Sequence, residues 1–367
     1  MRPALSPAFL VTKDKPNRRP TPYHRVSRDK AKVTINDIAR LANVSKKTVS
    51  RVINDSPLVR EQTREKVKLV ISEHGFAPDP QARALAFRRS FLIAMIYDNP
   101  SPQYVVNMQR GILDTLEGTS FQLILRPCDR GDPRFHASMR SFVEQQKLFG
   151  AILPPSVSED QTLADILTDA GCPYVRIASV LLDAPRSMIK THDSEGAAAA
   201  ARHIATLGHE RIAHIRGPLT FRSSHERLRG FEEGLAEFGL KLDPKLVLEG
   251  GYTFESGVAC AQQLLERPPA ARPTAVFAGN DEMAVGVYQA ARRAGFGVPE
   301  DMSIVGFDDT PMASRIWPPL TTVRLPIREM GKAAAAMLIA REGASGAPVA
   351  FQPEIIVRQS TAPLPRK

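Results

Sequence analysis

Apolar positions change their spacing near residue 90. Between residues 32 and 77 they recur three and four positions apart over short stretches, which predicts three short helices. From Phe91 onward, short apolar runs alternate with amphipathic stretches. The runs predict strands at 91–99, 121–129, 150–155, 173–178, 210–217, 274–280 and 303–309. The amphipathic stretches predict helices at 102–117, 133–147, 195–207, 225–238, 255–266, 281–294 and 326–341.

The alternation after residue 90 predicts an α/β fold in which helices cover both faces of parallel sheets. Most of the predicted strands end in polar or turn residues. Because ligands of open α/β sheets bind outside the carboxyl ends of the strands, we expect a site at these endings. They are Asp98-Asn99, Asp129, Gly217, Asn280-Asp281 and Asp308-Asp309.

Residues 33–56 carry the local signals of a helix-turn-helix unit. Thr34 and Asp37 are spaced to cap a first helix, and Ser45 is placed to cap a second one. Between them, Asn43 stands where a sharp turn needs a residue that tolerates positive φ. The outer face of the second helix carries Lys46, Lys47, Ser50 and Arg51. Lys46, Lys47 and Arg51 are candidate base readers, although a small helical bundle with solvated charges has the same pattern.

Charge is concentrated at the start of the 367-residue chain. Residues 1–90 contain 20 Lys and Arg against 8 Asp and Glu, whereas residues 91–367 contain 29 against 31. A basic module on a near-neutral body is typical of a nucleic-acid binder, and a basic membrane anchor shows the same asymmetry. No apolar stretch is long enough to span a membrane, and the N-terminus is a poor signal peptide. We therefore expect a cytoplasmic protein, whose three scattered cysteines are inert thiols.

The motifs of the first module closely resemble those of the LacI/GalR family of bacterial repressors. They are TINDIARLANVSKKTVSRVIN (34–54), TREKV (63–67) and GFAP (75–78). The resemblance implies that Lys46 and Lys47 begin the recognition helix and that Arg51 reads a base one turn later. It further implies phosphate-contacting or helix-capping roles for Thr34, Ser45, Thr48, Ser50 and Asn54.

Residues 79–90 resemble the hinge of the same family. Arg83 is an expected DNA contact there, and Leu85 is the side chain expected to wedge into the minor groove. The chain departs from the family at two positions. Arg60 replaces the Ser or Thr that usually caps the third helix, at a cost of about 1 kcal/mol at most, and Asp79 stands where Asn is common.

The resemblance continues through the core to about residue 360 and implies a periplasmic-binding-protein-like fold of two Rossmann-like subdomains. Its motifs include 99–114, 191–218, 223–231, 279–287, 298–309 and 318–331. Three crossings between the subdomains are implied, with a ligand cleft between them. By position, the cleft residues of the family correspond to Asp98, Asn99, Asp193, Ser223, Arg227, Asn280 and Asp308, with Tyr104 and Phe221 as candidate aromatic platforms.

The expected organisation has five parts. They are a disordered basic tail (1–31), an all-α helix-turn-helix head (32–78), a hinge helix (79–90), the α/β core (91–360) and a short tail (361–367). Within the core, the first subdomain is expected at about 91–191 plus 325–360 and the second at about 192–324.

These observations predict a DNA-binding transcriptional regulator, a homodimer on a near-palindromic double-stranded operator, released by a small-molecule effector. Carboxylates, amides and aromatic rings in the cleft favour a neutral sugar or glycoside, with a purine or nucleoside as the alternative. A solute-binding protein and a nucleoid protein that binds DNA through charge are further alternatives. The motifs of the common nucleotide-, zinc- and serine-dependent enzymes do not appear, so we expect no enzymatic activity, no cofactor and no metal.

Overall fold

The computed structural model describes residues 33–53, 56, 58–76, 90–340 and 349–364. They belong to two compact units, one up to residue 79 and one from residue 80 onward. The expected tail (1–31) and nearly all of the expected hinge (79–90) lie outside the described residues, as do Asn54, Arg83 and Leu85.

The described residues of the first unit form three helices, as predicted: α1 (Ile35–Leu41), α2 (Lys46–Ile53) and α3 (Glu61–Glu73). Thr34 and Asp37 form the predicted reciprocal cap of α1, and Asn43 has the predicted positive φ of 50°. The helices enclose a small apolar core made of Ile38, Ala39, Ala42, Val49, Val52 and Val67. Because Val49 and Val52 of α2 pack into this core, the opposite face of α2 remains exposed to solvent.

The second unit contains two six-stranded sheets. The first sheet has the order β11-β5-β4-β3-β1-β2, and all its pairs are parallel. Its strands are β1 (Leu92–Tyr97), β2 (Gln122–Pro127), β3 (Gly150–Leu153), β4 (Tyr174–Ala178), β5 (Met188–Thr191) and β11 (Val349–Phe351). Its helices are α4 (Pro102–Leu116), α5 (Phe135–Gln146), α6 (Gln161–Asp169) and α12 (Ile327–Ala340).

The second sheet has the order β12-β10-β9-β8-β6-β7, and only the edge pair β12–β10 is antiparallel. Its strands are β6 (Ile212–Arg216), β7 (Val247–Glu249), β8 (Ala275–Ala278), β9 (Ser303–Asp308), β10 (Thr321–Arg324) and β12 (Glu354–Ile356). Its helices are α7 (Asp193–Thr206), α8 (Arg222–Ala236), α9 (Phe254–Leu265), α10 (Asp281–Arg293) and the short α11 (Pro311–Arg315). Two parallel-sheet subdomains after a helical head confirm the predicted fold class.

The chain crosses between the sheets after β5, after β10 and after β11. The last crossing comes earlier in the chain than we expected. Residues 354–360 were predicted to belong to the first subdomain. Instead, Thr322 of β10 is paired with Ile356 of β12 in the second sheet. The expected C-terminal tail is also attached there, since the Leu364 amide donates to the Leu207 carbonyl at 2.9 Å. The boundary was wrong because a three-residue strand shows no preference for either sheet in its sequence.

Candidate functional site

The carboxyl ends of strands from both sheets meet around a cavity between the two subdomains. Its volume is about 30 Å³, so the walls lie close together. Eight of the nine predicted effector residues line it: Asn99, Tyr104, Asp193, Phe221, Ser223, Arg227, Asn280 and Asp308. The lining also contains Ser101, Pro155, Thr191, Tyr252 and Leu325, which the sequence analysis missed.

Arg227 is held in place by a buried ion pair. Its Nε donates to Asp193 Oδ1 at 2.8 Å, and the Thr191 hydroxyl donates to the other carboxylate oxygen. Another guanidinium nitrogen donates to the Gly279 carbonyl. The guanidinium carbon lies 3.6 Å from the centre of the Phe307 ring, a cation–π contact. The guanidinium is thus neutralised and oriented by the protein itself.

The Asp308 side chain, unlike that of Arg227, is not held by partners among the described residues. Its side chain is buried, and among the described residues it has no hydrogen-bond or ion-pair partner. Burial raises the pKa of this carboxyl well above its usual range, although Arg227 opposes the shift. Its φ of 112° is in the region that favours glycine, and such strain is concentrated at functional sites. A buried acceptor without a partner is suited to a ligand that brings hydrogen-bond donors.

Asp281 supports the strained turn after β9. Its carboxylate accepts from the Thr310 amide at 2.6 Å, from the Thr310 hydroxyl at 2.9 Å and from the Thr322 hydroxyl at 2.6 Å. Burial raises the pKa of Asp281 to about 7, and the hydrogen bonds limit the shift. This carboxylate therefore has a structural role beside Asp308.

The aromatic side chains divide into two kinds. Phe221 and Tyr252 meet edge to face with their ring centres 5.3 Å apart, and the Tyr252 hydroxyl is bonded to Ser224 at 2.8 Å. Tyr104 differs because its hydroxyl is buried without a partner among the described residues. Burial raises the pKa of Tyr104, with Asp308 and Asp193 adding to the shift. Tyr104 thus offers the cavity a polar atom as well as an apolar ring.

The amides of the cavity are partly used by the protein. Asn280 caps α10 by accepting from the Met283 amide at 2.9 Å, and it donates to the Tyr252 carbonyl at 3.0 Å. Asn99 accepts from the Ser101 amide at 2.9 Å. Both side chains are therefore fixed in orientation, and each retains part of its hydrogen-bonding capacity.

Asp98 was predicted as a ligand residue, but the structure does not place it in the cavity lining. Its carboxylate accepts from the Ser156 hydroxyl at 2.9 Å and pairs with Arg130 Nε at 2.8 Å. The structure therefore places Asp98 beside the cavity, bonded to Arg130 and Ser156, and its role as an effector ligand stays a prediction.

The helical head presents the predicted DNA-contacting face. The side chains of Lys46 and Lys47 are exposed, and Val49 behind them is buried. Ser45 accepts from the Thr48 amide at 3.1 Å, so the first turn of α2 is capped as predicted. Arg51 and Ser50 are half-buried on the next turn. The first turn of α2 therefore carries two exposed cationic side chains, and the buried Val49 fixes the opposite face.

No group of three or more potential metal ligands occurs in the described ranges. None of the helices in those ranges has the length and hydrophobicity needed to cross a lipid bilayer.

Known proteins resemble the chain over nearly its whole length. The regulator DegA of Bacillus subtilis (strain 168) is 34% identical over 339 residues, which cover 91% of this chain and 99% of DegA. The structure of the transcriptional regulator CelR–cellobiose complex superposes with a TM-score of 0.67 at 32% identity, covering 89% of this chain and 99% of that one. The lac repressor dimer bound to operator and the anti-inducer ONPF superposes with a TM-score of 0.72 at 27% identity, covering 90% and 99%.

Two domain families match different parts of the chain. Residues 201–361 match the periplasmic binding protein-like domain. Residues 34–79 match the family described as bacterial regulatory proteins, lacI family. With the helical head, the two-subdomain core and relatives of the same length, the chain belongs to the LacI family of DNA-binding transcriptional regulators.

Proposed function

We propose that this regulator represses carbohydrate-utilisation genes and is released from its operator by a neutral sugar or glycoside. The observation that carries the proposal is the Asp308 carboxylate, which accepts no hydrogen bond from the described residues and lines the cavity together with Tyr104. The Tyr104 hydroxyl is buried without a partner among the described residues. A polyol brings several hydroxyl donors and acceptors to such a pair. Phe221 and Tyr252 supply apolar ring surface for its carbon skeleton.

The charge balance of the cavity favours a neutral effector over an anionic one. Its lining has one cation, Arg227, and two carboxylates, Asp193 and Asp308. Arg227 is already neutralised by Asp193, at a distance of 2.8 Å. A phosphate or carboxylate on the ligand would therefore meet the Asp308 carboxylate without a free cation to compensate.

We propose that two copies of the chain act together in the cytoplasm, one head on each half of a near-palindromic operator. Two observations support the dimer. Helix α4 exposes Val106 and Leu113, and the α11 region exposes Met312 and Trp317, whose side chain is 79% exposed. Large exposed apolar side chains of this kind are typical of a surface that another protein covers.

Within each head, we propose that Lys46, Lys47 and Arg51 read base edges in the major groove. Thr34, Ser45, Thr48 and Ser50 are proposed to position the head on phosphates. Both Lys46 and Lys47 are exposed at the start of α2, the position from which a recognition helix reaches bases. For Asn54, Arg83 and Leu85 the proposal rests on the sequence alone.

A thermal-shift screen against sugars, glycosides, nucleosides and purines tests the effector class. A ligand at 100 times its Kd stabilises the fold by about 2.7 kcal/mol, which raises the Tm measurably. We expect a sugar to raise the Tm of the wild type but not that of Asp308→Ala or Arg227→Ala. A shift with purines alone, or a sugar shift that both variants retain, would refute the proposed effector class or the proposed site.

A further inference from the structure

A series of polar contacts connects the two subdomains beside the effector cavity, through residues that do not line it. Arg130 follows β2 in the first subdomain. Its Nε pairs with Asp98 at 2.8 Å, while its Nη2 donates to the Thr220 carbonyl of the second subdomain at 3.0 Å. Ser156 donates to the same Asp98 carboxylate at 2.9 Å. Arg130 thus joins an anchored carboxylate of one half to the backbone of the other half.

A second contact crosses at the start of α8. Both carboxylate oxygens of Glu159, from the first subdomain, accept from the Arg222 amide, at 3.1 and 3.2 Å. Arg222 is the first residue of α8, and Phe221 before it provides no side-chain cap. The first amides of a helix have no partner within the helix. Glu159 therefore caps, from the opposite subdomain, a helix that its own subdomain leaves uncapped.

Helix α8 carries the cavity residues Ser223 and Arg227. Its N-terminal turn is thus attached to the first subdomain, which contributes Asn99 and Tyr104 to the opposite wall of the cavity. Separation of the two halves would break the contacts of both Arg130 and Glu159. These two contacts therefore couple the closure of the cavity to the position of α8 relative to the first subdomain.

We propose that Arg130 and Glu159 form a clasp that holds the two subdomains closed over the effector cavity, with Asp98 as its anchor. They are positioning residues, because they act on the effector through the position of α8. The clasp itself is independent of what the cavity binds. Its consequence, tighter retention of an effector, rests on the proposed function.

The Glu159 contact is sensitive to pH. Burial raises the pKa of Glu159 to about 6 in the closed form. The charged groups that face the Glu159 carboxylate are Arg222 of α8, Arg130 after β2 and Asp98 after β1. The carboxylate of the adjacent Asp160 is hydrogen-bonded to His136 at 3.0 Å. A raised pKa in the closed form means that this form binds a proton more tightly than the open form does. Acidification through pH 6 therefore favours closure, and the ionised carboxylate weakens it.

Amide hydrogen exchange at Arg222, measured by NMR on the full-length protein without added ligand, tests the clasp. In the wild type we expect this amide to be protected. Arg130→Ala and Glu159→Ala should each speed its exchange by about tenfold, the size of one hydrogen bond. The matched control is Arg134→Ala, which removes a nearby exposed arginine whose ion-pair partner among the described residues is Asp132.

A pH series isolates the Glu159 contact from other titrating groups. After correction for intrinsic exchange, protection of Arg222 in the wild type should rise about fourfold from pH 7.5 to 5.5. Glu159→Gln retains an acceptor without a charge, so its protection should stay high and no longer depend on pH.

The clasp would be overturned if the Arg222 amide exchanged at the wild-type rate in both Arg130→Ala and Glu159→Ala. It would also be overturned if this amide were unprotected in the wild type. Melting temperatures measured on each variant identify any that is simply unfolded. Operator binding by the same variants is read separately. Loss of the proposed function would appear there, while failure of the clasp would appear only in the exchange data.

Discussion

Asp193 and Asp308 are both buried carboxylates of the cavity, but they have different surroundings. Asp193 accepts from Arg227 and Thr191. Asp308 has no partner in the described part of the chain and lies in a strained backbone conformation. Removal of one partner from a buried pair leaves an uncompensated charge, whereas removal of an unpartnered charge relieves a desolvation cost. The two residues should therefore respond oppositely to the same substitution.

We expect Asp308→Asn to raise the free energy of unfolding of the unliganded protein by about 1 kcal/mol. Asn also tolerates positive φ. Asp193→Asn should lower the free energy of unfolding by about 3 kcal/mol, because it leaves the Arg227 guanidinium unpaired. Urea unfolding of both variants gives the measurement. Equal losses of stability in the two variants would contradict the assignment of Asp308 as a ligand-binding carboxylate.

Most of the cavity could be predicted from the sequence, because its residues follow long, buried strands or belong to family motifs. Asp308 at the end of β9 and Asn280 after β8 are of this kind. Tyr252 was missed because it follows β7, a three-residue, partly exposed strand without a clear apolar run. The ion pair of Asp98 with Arg130 was not predicted, because Arg130 lies 32 positions further along the chain. Pairings between distant side chains leave no signal in a local pattern.

Among the elements, the seven predicted strands of the core were all found, and the strands that were missed are short or lie near sheet edges. Val349–Phe351 and Glu354–Ile356 have no buried residues, so they lack the apolar pattern that identifies a buried strand. Gln161–Asp169 was missed although its apolar residues are buried.

Helix α3 begins without a side-chain cap, as the sequence analysis predicted for Arg60. Arg60→Ser should supply the missing acceptor and stabilise the head by about 1 kcal/mol. Thr34→Ala should destabilise it by a similar amount, since Thr34 and Asp37 cap α1 reciprocally. Hydrogen exchange of α3 amides reports both changes. If exchange is no slower in Arg60→Ser than in the wild type, the capping account of α3 is wrong.

Helices α4 and α12 pack at a point where only glycine fits. A Cβ at Gly111 would lie 1.9 Å from the Arg328 carbonyl oxygen, so Gly111→Ala must displace the backbone of α12. Overpacking of this kind costs about 1–3 kcal/mol. We expect that loss in chemical unfolding, with the exposed Arg110→Ala on the same helix as the control. An unchanged stability would show that the helices are not in close contact.

At the scale of the whole molecule, a buried histidine makes stability depend on pH. His214 stacks against both Phe231 and Phe277, which also stack on each other, and it is bonded to the Phe277 carbonyl at 3.0 Å. Burial lowers the pKa of His214 to about 4. Between pH 6.5 and 4 the unfolded chain binds a proton that the folded protein does not, so acidification destabilises the fold.

We expect this histidine to contribute a loss of up to about 1.4 kcal/mol per pH unit over that window. Asp281 has a raised pKa, so its protonation on acidification stabilises the fold. In the wild type this partly offsets the loss of stability caused by His214. The difference between the wild type and His214→Gln isolates the histidine. If urea unfolding gives parallel pH dependences for the two proteins, His214 is not buried in its neutral form.

The central claim is that a sugar bound by Asp308 controls DNA binding by the helical head. Fluorescence anisotropy with an operator selected from a random DNA pool, with and without the sugar found in the thermal screen, tests it most directly. We predict that the sugar weakens operator binding by the wild type by about 5- to 150-fold, the usual range of allosteric coupling. Asp308→Asn should bind the same DNA equally well and show no response. Tighter binding on addition of the sugar, or an undiminished response in Asp308→Asn, would contradict the account.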